Sequence, residues 1–317
     1  MDESCRYPRV LLATCCVPWT PDFEIDEPVF RASIRRLLAA GLRDLYVFGT
    51  AGEGYAVSER QFDEVVRIFG EEMRAAAAAP MVGIISPSLS TAIGRIERCL
   101  ERGVDLFQIS LPSWGTLTTA ELRTFFAETC GRFPQARFLH YNLPRAGRLV
   151  TVEEYEFLAR AQPNFVATKN SGATVGVLAG LLDRVGMVRH FVTESGYLYG
   201  WQLGEPGFLA SIASMHPTLA RAYFEAGVRG DAPEIGRLGH ELAIMSGLLF
   251  AASGGVSLID GAYDKVFCKI LDERFPLRLL PPYADYGEAA FARFRASVAE
   301  RFPHWLPGWR PAGDVAR

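Results

Sequence analysis

The chain has 317 residues, 49% of them hydrophobic and 22% charged, which excludes the disordered and fibrous classes of protein. A formal net charge of -3 and a pI near 6.0 give no general attraction to phosphate backbones or anionic lipid. The first residues are acidic where a secretory signal is basic, and no apolar run approaches the roughly 20 residues of a membrane span. We therefore expect a cytoplasmic protein that binds neither nucleic acid nor membrane.

Short apolar runs alternate along the chain with amphipathic stretches of helical length, a pattern typical of βα units. Eight strands are predicted, beginning at Val10, Leu45, Met81, Leu106, Phe138, Phe165, His190 and Phe208. The helices predicted between and after them span 28–40, 58–74, 90–101, 119–130, 151–161, 174–185, a short segment from Tyr197, and 217–226. Ser58 and Thr151 stand before acidic or amide side chains, as helix N-caps do. Eight repeats favour a closed barrel over a doubly wound sheet.

Strand signals stop after Gly230, and helices are predicted over 233–252, 260–275 and 287–301. The predicted fold class is therefore α/β, a (β/α)₈ TIM barrel with a C-terminal helical appendage. We expect residues 1–230 to form the catalytic barrel and 231–317 a helical subdomain, separated by the turn at 230–233.

The six cysteines contain no CxxC pair and are expected to be reduced thiols rather than a disulfide or metal site: Cys5, Cys15, Cys16, Cys99, Cys130 and Cys268. The five histidines show no ligand spacing, and no Gly-x-Ser-x-Gly occurs. Metalloenzyme and serine hydrolase functions are therefore disfavoured.

The segment Gly49-Thr50-Ala51-Gly52-Glu53-Gly54 directly follows the second predicted strand. Its small residues let backbone N–H groups approach an anion, and Thr50 adds a hydroxyl donor. The glycine spacing fits neither a P-loop nor a dinucleotide-binding turn. The loop is either an anion cradle or an ordinary tight turn.

Lys169 ends the sixth predicted strand, in a chain that has only three lysines against thirty arginines. Lysine can lose its proton and act as a nucleophile, whereas arginine cannot. A partly desolvated barrel mouth is expected to lower the pKa of Lys169 from about 10.4 toward 7 or 8. The alternative is a loop lysine that pairs with an acid.

Tyr141 lies in His140-Tyr141-Asn142-Leu143-Pro144, at the end of the fifth predicted strand. A lone tyrosine there would be an ordinary barrel aromatic. Next to a lysine on the following βα unit, its phenol can carry protons to and from a substrate.

Together these segments resemble the dihydrodipicolinate synthase and N-acetylneuraminate lyase family. The matching stretches are VPWTP at 17–21, GTAGEG at 49–54, YNLP at 141–144, ATKNSG at 167–172, the glycines before Leu209-Ala210-Ser211, and the late helix with Lys265 and Lys269. The similarity runs in order over essentially the whole chain.

The resemblance implies a class I aldolase, which is a lyase without a metal or organic cofactor. It also implies a homotetramer or homodimer. The implied substrates are small molecules: a 2-keto acid such as pyruvate, and an aldehyde. It implies Lys169 as the Schiff-base lysine, Tyr141 as the proton shuttle, and Thr50 with the Ala51 and Gly52 backbone as the carboxylate site. Glu194 and Ser211 fall where the lyase branch contacts its hydroxylated substrate.

Three departures from the family pattern bear on the substrate. Ala51 stands where the family has a threonine of its proton relay. The adjacent tyrosines that the synthase branch has after its fourth strand are missing, and Trp114 stands near their place. Ala146 stands where the synthase branch has an arginine, although Arg145, one residue earlier, could serve instead. They predict that the electrophile is a hydroxylated or aromatic aldehyde, with Trp114 as a stacking wall, and not aspartate semialdehyde. A 2-keto sugar-acid dehydratase or hydratase, and a non-catalytic anion-binding homologue, remain alternatives.

Overall fold

The structure is a computed structural model that describes residues 6–309. Eight parallel strands close into a barrel in chain order, β1 to β8, and β8 pairs with β1. The strands are β1 (Leu11–Cys15), β2 (Leu45–Val47), β3 (Met81–Ile84), β4 (Leu106–Ile109), β5 (Arg137–Asn142), β6 (Phe165–Asn170), β7 (Arg189–Val192) and β8 (Gly207–Ala210). All eight predicted strands and the predicted barrel are thereby confirmed.

Helices follow the strands as predicted, and three more close the described chain. They are α1 (Glu27–Ala39), α2 (Glu59–Ala75), α3 (Leu89–Glu101), α4 (Thr119–Phe126), α5 (Val152–Ala161), α6 (Val175–Arg184), α7 (Glu194–Gly200), α8 (Pro217–Arg229), α9 (Ala232–Ala252), α10 (Asp260–Leu271) and α11 (Glu288–Arg301). Ser58 with Gln61 and Thr151 with Glu154 form capping boxes, so both helices begin where the sequence signals them.

Four helix boundaries differ from the prediction by three residues or more, and one of them is the end of α8, at Arg229 rather than at residue 226. α4 ends at Phe126 and continues as a π-helical turn over Ala127–Gly131. α7 begins at Glu194 rather than Tyr197, and no side chain forms a capping hydrogen bond at its start. α10 ends at Leu271 rather than Phe275, because the Asp272 carboxylate accepts a hydrogen bond from the Arg274 N–H and competes with the helix.

The interior of the barrel is filled by one apolar side chain from each strand, together with Tyr7 and Val166: Leu12, Tyr46, Met81, Leu106, Leu139, Ala167, Phe191 and Leu209. Because side chains alternate along a strand, the residues two positions after Leu139 and Ala167 also point inward. These residues are Tyr141 and Lys169, which lie at the carboxyl ends of their strands.

The C-terminal helices pack on the barrel rather than apart from it. Gly230, in the left-handed conformation, ends α8, and the Asp231 side chain caps α9 at the predicted turn. α9 packs against α7, α8 and α11, and Lys265 of α10 reaches the loop after β2. A division into domains at 230 stays a prediction.

Within the described part of the chain, five cysteines are buried and unbridged: Cys15, Cys16, Cys99, Cys130 and Cys268. Cys5 lies outside the described residues. Within residues 6–309, no helix has both the length and the apolar character needed to cross a membrane.

Candidate active site

A cavity of about 500 Å³ opens at the carboxyl ends of the strands, where active sites of such barrels lie. Seven residues singled out in the sequence line it: Thr50, Ala51, Tyr141, Arg145, Lys169, Glu194 and Ser211. The structure therefore brings together side chains that are distant along the chain.

Lys169 and Tyr141 are cross-strand partners in the β5–β6 ladder. The Lys169 Nζ lies 3.8 Å from the centre of the Tyr141 ring, and it donates a hydrogen bond of 3.5 Å to the Oη of Tyr46 on β2. All three side chains are buried. Two phenols therefore flank the amine, one from a neighbouring strand and one from across the barrel.

This arrangement reverses the expected direction of the pKa of Lys169. Burial lowers this pKa, but the electrostatic attraction of Tyr141 and Tyr46 outweighs burial and raises it above the ordinary value. Conversely, burial raises the pKa of Tyr141, but the Lys169 ammonium outweighs it and lowers that pKa. The expectation of a lowered lysine pKa was wrong, because it took account of desolvation alone. The amine of Lys169 and the phenol of Tyr141 thus each favour the charged form of the other.

Hydrogen bonds fix the segment that carries Tyr141. Ser171, just past β6, donates from Oγ to the Tyr141 Oη at 3.3 Å. The Asn142 side chain accepts from the Val150 N–H at 2.9 Å and donates to the Val150 carbonyl at 3.1 Å. The YNLP segment is thus hydrogen-bonded to the backbone of Val150, and these contacts hold Tyr141 in place over Lys169.

The GTAGEG loop owes its shape to two non-glycine residues with positive φ, Phe48 at 64° and Glu53 at 60°. A Cβ on Gly52 would lie 2.6 Å from the Phe48 backbone nitrogen, so only glycine fits the turn. Thr50 and Ala51 face the cavity, but Gly52 does not line it and packs against the loop backbone.

Glu53 anchors this loop to the C-terminal region. Its Oε1 accepts from the Trp19 Nε1 at 2.8 Å and lies 2.6 Å from the Lys265 Nζ, and its Oε2 accepts from the Leu280 N–H at 2.6 Å. The motif glutamate is therefore structural, and it holds Thr50 and Ala51 toward the cavity by fixing the end of their loop.

Glu194 begins α7 and accepts a hydrogen bond at 3.1 Å from the N–H of Ile212, next to Ser211. Burial raises the pKa of the Glu194 carboxyl, and the backbone N–H groups around it oppose that rise. This carboxyl fixes the segment after β8 and faces the cavity at the same time.

Arg145 lines the cavity but is already paired. Its Nη1 and Nη2 donate to the two carboxylate oxygens of Asp260 on α10 at 3.0 and 2.9 Å. This bidentate geometry is the strong form of an arginine–carboxylate contact. A substrate carboxylate could bind Arg145 only in competition with Asp260.

Asp264, one turn beyond Asp260, was missed in the sequence. It is buried at the cavity surface. Burial and the charge of Asp260 raise its pKa to about 7. A signal did exist, since Asp260, Tyr263, Asp264 and Phe267 have the i, i+3, i+4, i+7 spacing of one helix face, and all four line the cavity.

Trp114 is not brought to the cavity. Its side chain, in the irregular segment between β4 and α4, is 95% exposed. It therefore cannot form a wall of this cavity within one chain.

The chain is similar in sequence to one protein family. The family model described as the dihydrodipicolinate synthetase family matches residues 8–289. A 4-hydroxy-tetrahydrodipicolinate synthase from Exiguobacterium sibiricum is 23% identical over 263 residues, which is 82% of this chain and 88% of that protein.

Solved structures share the fold. A prophage protein of the dihydrodipicolinic acid synthase family from E. coli K12, in complex with pyruvate, superposes with a TM-score of 0.83 at 16% identity, covering 92% of this chain and 98% of that one. A catalytic lysine mutant of the Ruminococcus gnavus sialic acid aldolase gives a TM-score of 0.80 at 14% identity, covering 91% and 94%.

Proposed function

The chain belongs to the dihydrodipicolinate synthetase family, and on that premise we propose that it is a class I aldolase that joins pyruvate, or another 2-keto acid, to an aldehyde, or cleaves the product. The observation that carries this proposal is the buried Lys169–Tyr141 pair at the cavity, beside Thr50 and Ala51. A cytoplasmic location and assembly into a homotetramer or homodimer stay predictions.

The first step is transfer of the Lys169 ammonium proton to the Tyr141 phenolate, which leaves a free amine and a phenol. The amine attacks C2 of the keto acid, and the former carbonyl oxygen leaves as water, with a proton from Tyr141. The resulting iminium is an electron sink. Thr50 and the Ala51 backbone hold the carboxylate of the keto acid.

Carbon–carbon bond formation uses the same phenol again. Tyr141 as phenolate removes a proton from C3, which gives an enamine, and the enamine carbon attacks the aldehyde carbon. The new alkoxide takes the proton back from Tyr141, and water then hydrolyses the iminium to free Lys169. A dehydratase of the same family would share the iminium and would expel a C4 hydroxyl after loss of the C3 proton.

Reductive trapping tests the proposal. We expect incubation with pyruvate and borohydride to increase the mass of the Lys169 peptide by pyruvic acid less one oxygen atom. Lys169→Arg should abolish the adduct because arginine keeps the charge but cannot supply a free amine. Lys269→Arg, at a lysine that does not line the cavity, is the control. An adduct on Lys265 or Lys269, or none with any 2-keto acid, overturns the assignment.

A further inference from the structure

The cavity has two chemically different halves. The barrel half is mostly polar and includes Tyr141, Lys169, Thr193 and Ser211. The other half comes from α9, α10 and the segment between them, and its apolar members are Leu242, Met245, Leu249, Phe250, Leu258, Tyr263 and Phe267. If pyruvate occupies the polar half at Lys169, the aldehyde meets the apolar half.

The apolar wall is regular and preformed. Leu242, Met245 and Leu249 have the i, i+3, i+7 spacing of one helix face, and all three are buried beside the cavity. The protein already keeps these three side chains out of water, so the favourable contribution on binding is the apolar surface that a ligand removes from water by packing against them.

Two hydroxyl groups on this half are already bonded within the protein. The Ser246 hydroxyl donates to the Leu242 carbonyl at 3.0 Å. The Tyr263 hydroxyl donates to the Val256 carbonyl and accepts from the Leu258 N–H, each at 3.0 Å. A polyol chain packed against Leu242, Met245 and Leu249 would lose water at an apolar face, and unpaired buried hydroxyls are costly.

Charge also disfavours a second anion. The cavity carries the carboxyl groups of Glu194, Asp260 and Asp264, and Arg145 is held by Asp260. A carboxylate on the aldehyde would have to displace Asp260 from Arg145 to gain a cation of its own.

We propose that the aldehyde is uncharged and carries an aromatic or branched aliphatic body that lies against Leu242, Met245 and Leu249 of α9. This inference rests on the proposed function. The apolar wall that the sequence predicted at Trp114 is instead formed by the C-terminal helices. Those helices would then help to select the substrate.

The test compares benzaldehyde, glyceraldehyde and succinic semialdehyde as partners for pyruvate, with pyruvate consumption as the readout. We expect kcat/KM to be at least about tenfold higher for benzaldehyde than for the other two, since the worth of a few apolar contacts is about 10- to 200-fold. Leu249→Ala should lower kcat/KM for benzaldehyde about tenfold, mainly through KM, and leave the pyruvate adduct on Lys169 intact.

Leu248→Ala is the matched control, because Leu248 adjoins Leu249 on α9 but does not line the cavity. Should Leu249→Ala not fold, Phe250→Ala replaces it at a lining residue that is 48% exposed. Preference for glyceraldehyde or succinic semialdehyde, with the adduct present, overturns this inference alone, and so does an equal loss in Leu248→Ala. Absence of the adduct overturns the proposed function.

Discussion

Glu53 and Lys265 form an ion pair of 2.6 Å in which both side chains are completely buried. Removing one partner leaves an uncompensated buried charge, so we expect Glu53→Gln or Lys265→Met each to lower the free energy of unfolding by about 3 to 5 kcal/mol. Urea unfolding followed by circular dichroism measures this change.

The exposed pair of Arg60 and Glu24 provides the control for that prediction. Arg60→Ala should cost no more than about 1 kcal/mol, as surface pairs do. In the double variant Glu53→Gln/Lys265→Met, the loss should be smaller than the sum of the single losses. Additive losses would contradict direct coupling across the buried pair.

Tyr141→Phe should still reach the Schiff base, more slowly than wild type, and should lower turnover by about 10² to 10⁴, because in the proposed mechanism the hydroxyl carries the proton in both steps. Exchange of the pyruvate methyl hydrogens with deuterated water, followed by NMR, measures the same proton transfer without an aldehyde. Tyr155→Phe, at a buried phenol on α5 that does not line the cavity, is the control. Unchanged exchange in folded Tyr141→Phe would make Tyr141 an ordinary barrel aromatic.

Asp264→Asn should alter how stability depends on pH. The pKa of Asp264 is raised to about 7 from an ordinary 3.8, so between these values the folded protein holds a proton that the unfolded chain has lost. Stability from this group is therefore present at low pH and falls as pH rises toward 7. Relative to wild type, the variant should gain about 2 to 3 kcal/mol between pH 5 and pH 8.

Asp260→Asn is the comparison for this variant, because the Arg145 guanidinium opposes burial and lowers the pKa of Asp260. The stability that Asp260 contributes is lost only as pH falls below the ordinary value of 3.8, so the loss in Asp260→Asn should be constant between pH 5 and pH 8. Urea midpoints at pH 5, 6, 7 and 8 measure both variants. A flat difference between Asp264→Asn and wild type would contradict the raised pKa.

Condensation of pyruvate with aspartate semialdehyde should be weak or absent, although many relatives are named 4-hydroxy-tetrahydrodipicolinate synthase. The carboxylate of that aldehyde needs a cation, and Arg145 already binds Asp260 in bidentate geometry. A coupled assay of purified protein measures the rate. Efficient condensation that disappears in Arg145→Ala would mean that Arg145 leaves Asp260 for the substrate.

The barrel could be predicted from sequence because buried parallel strands are continuous apolar runs and their helices carry local capping signals. Lys169 and Tyr141 could be located because alternation along a strand turns both inward, two residues beyond a core position. Both inferences depend only on residues that are close together along the sequence.

What could not be predicted depends on contacts between distant parts of the chain. Tyr46 reverses the pKa argument for Lys169 from the opposite side of the barrel. Asp260 and Asp264 belong to α10, whose position over the cavity is fixed by packing rather than by local sequence. Trp114 was judged by its chemistry alone, and its exposure became visible only in three dimensions.

The buried contact between Glu53 and α10 also means that a nascent chain can complete its cavity only after α10 has been synthesised. A polypeptide released after residue 230 would contain every strand, Lys169 and Tyr141. It would nevertheless lack the partner of Glu53 and one wall of the cavity. We therefore expect ribosome-bound chains to remain inert until α10 has emerged, and chains ended by premature stop codons before it to be substrates for proteolysis rather than weakly active enzymes.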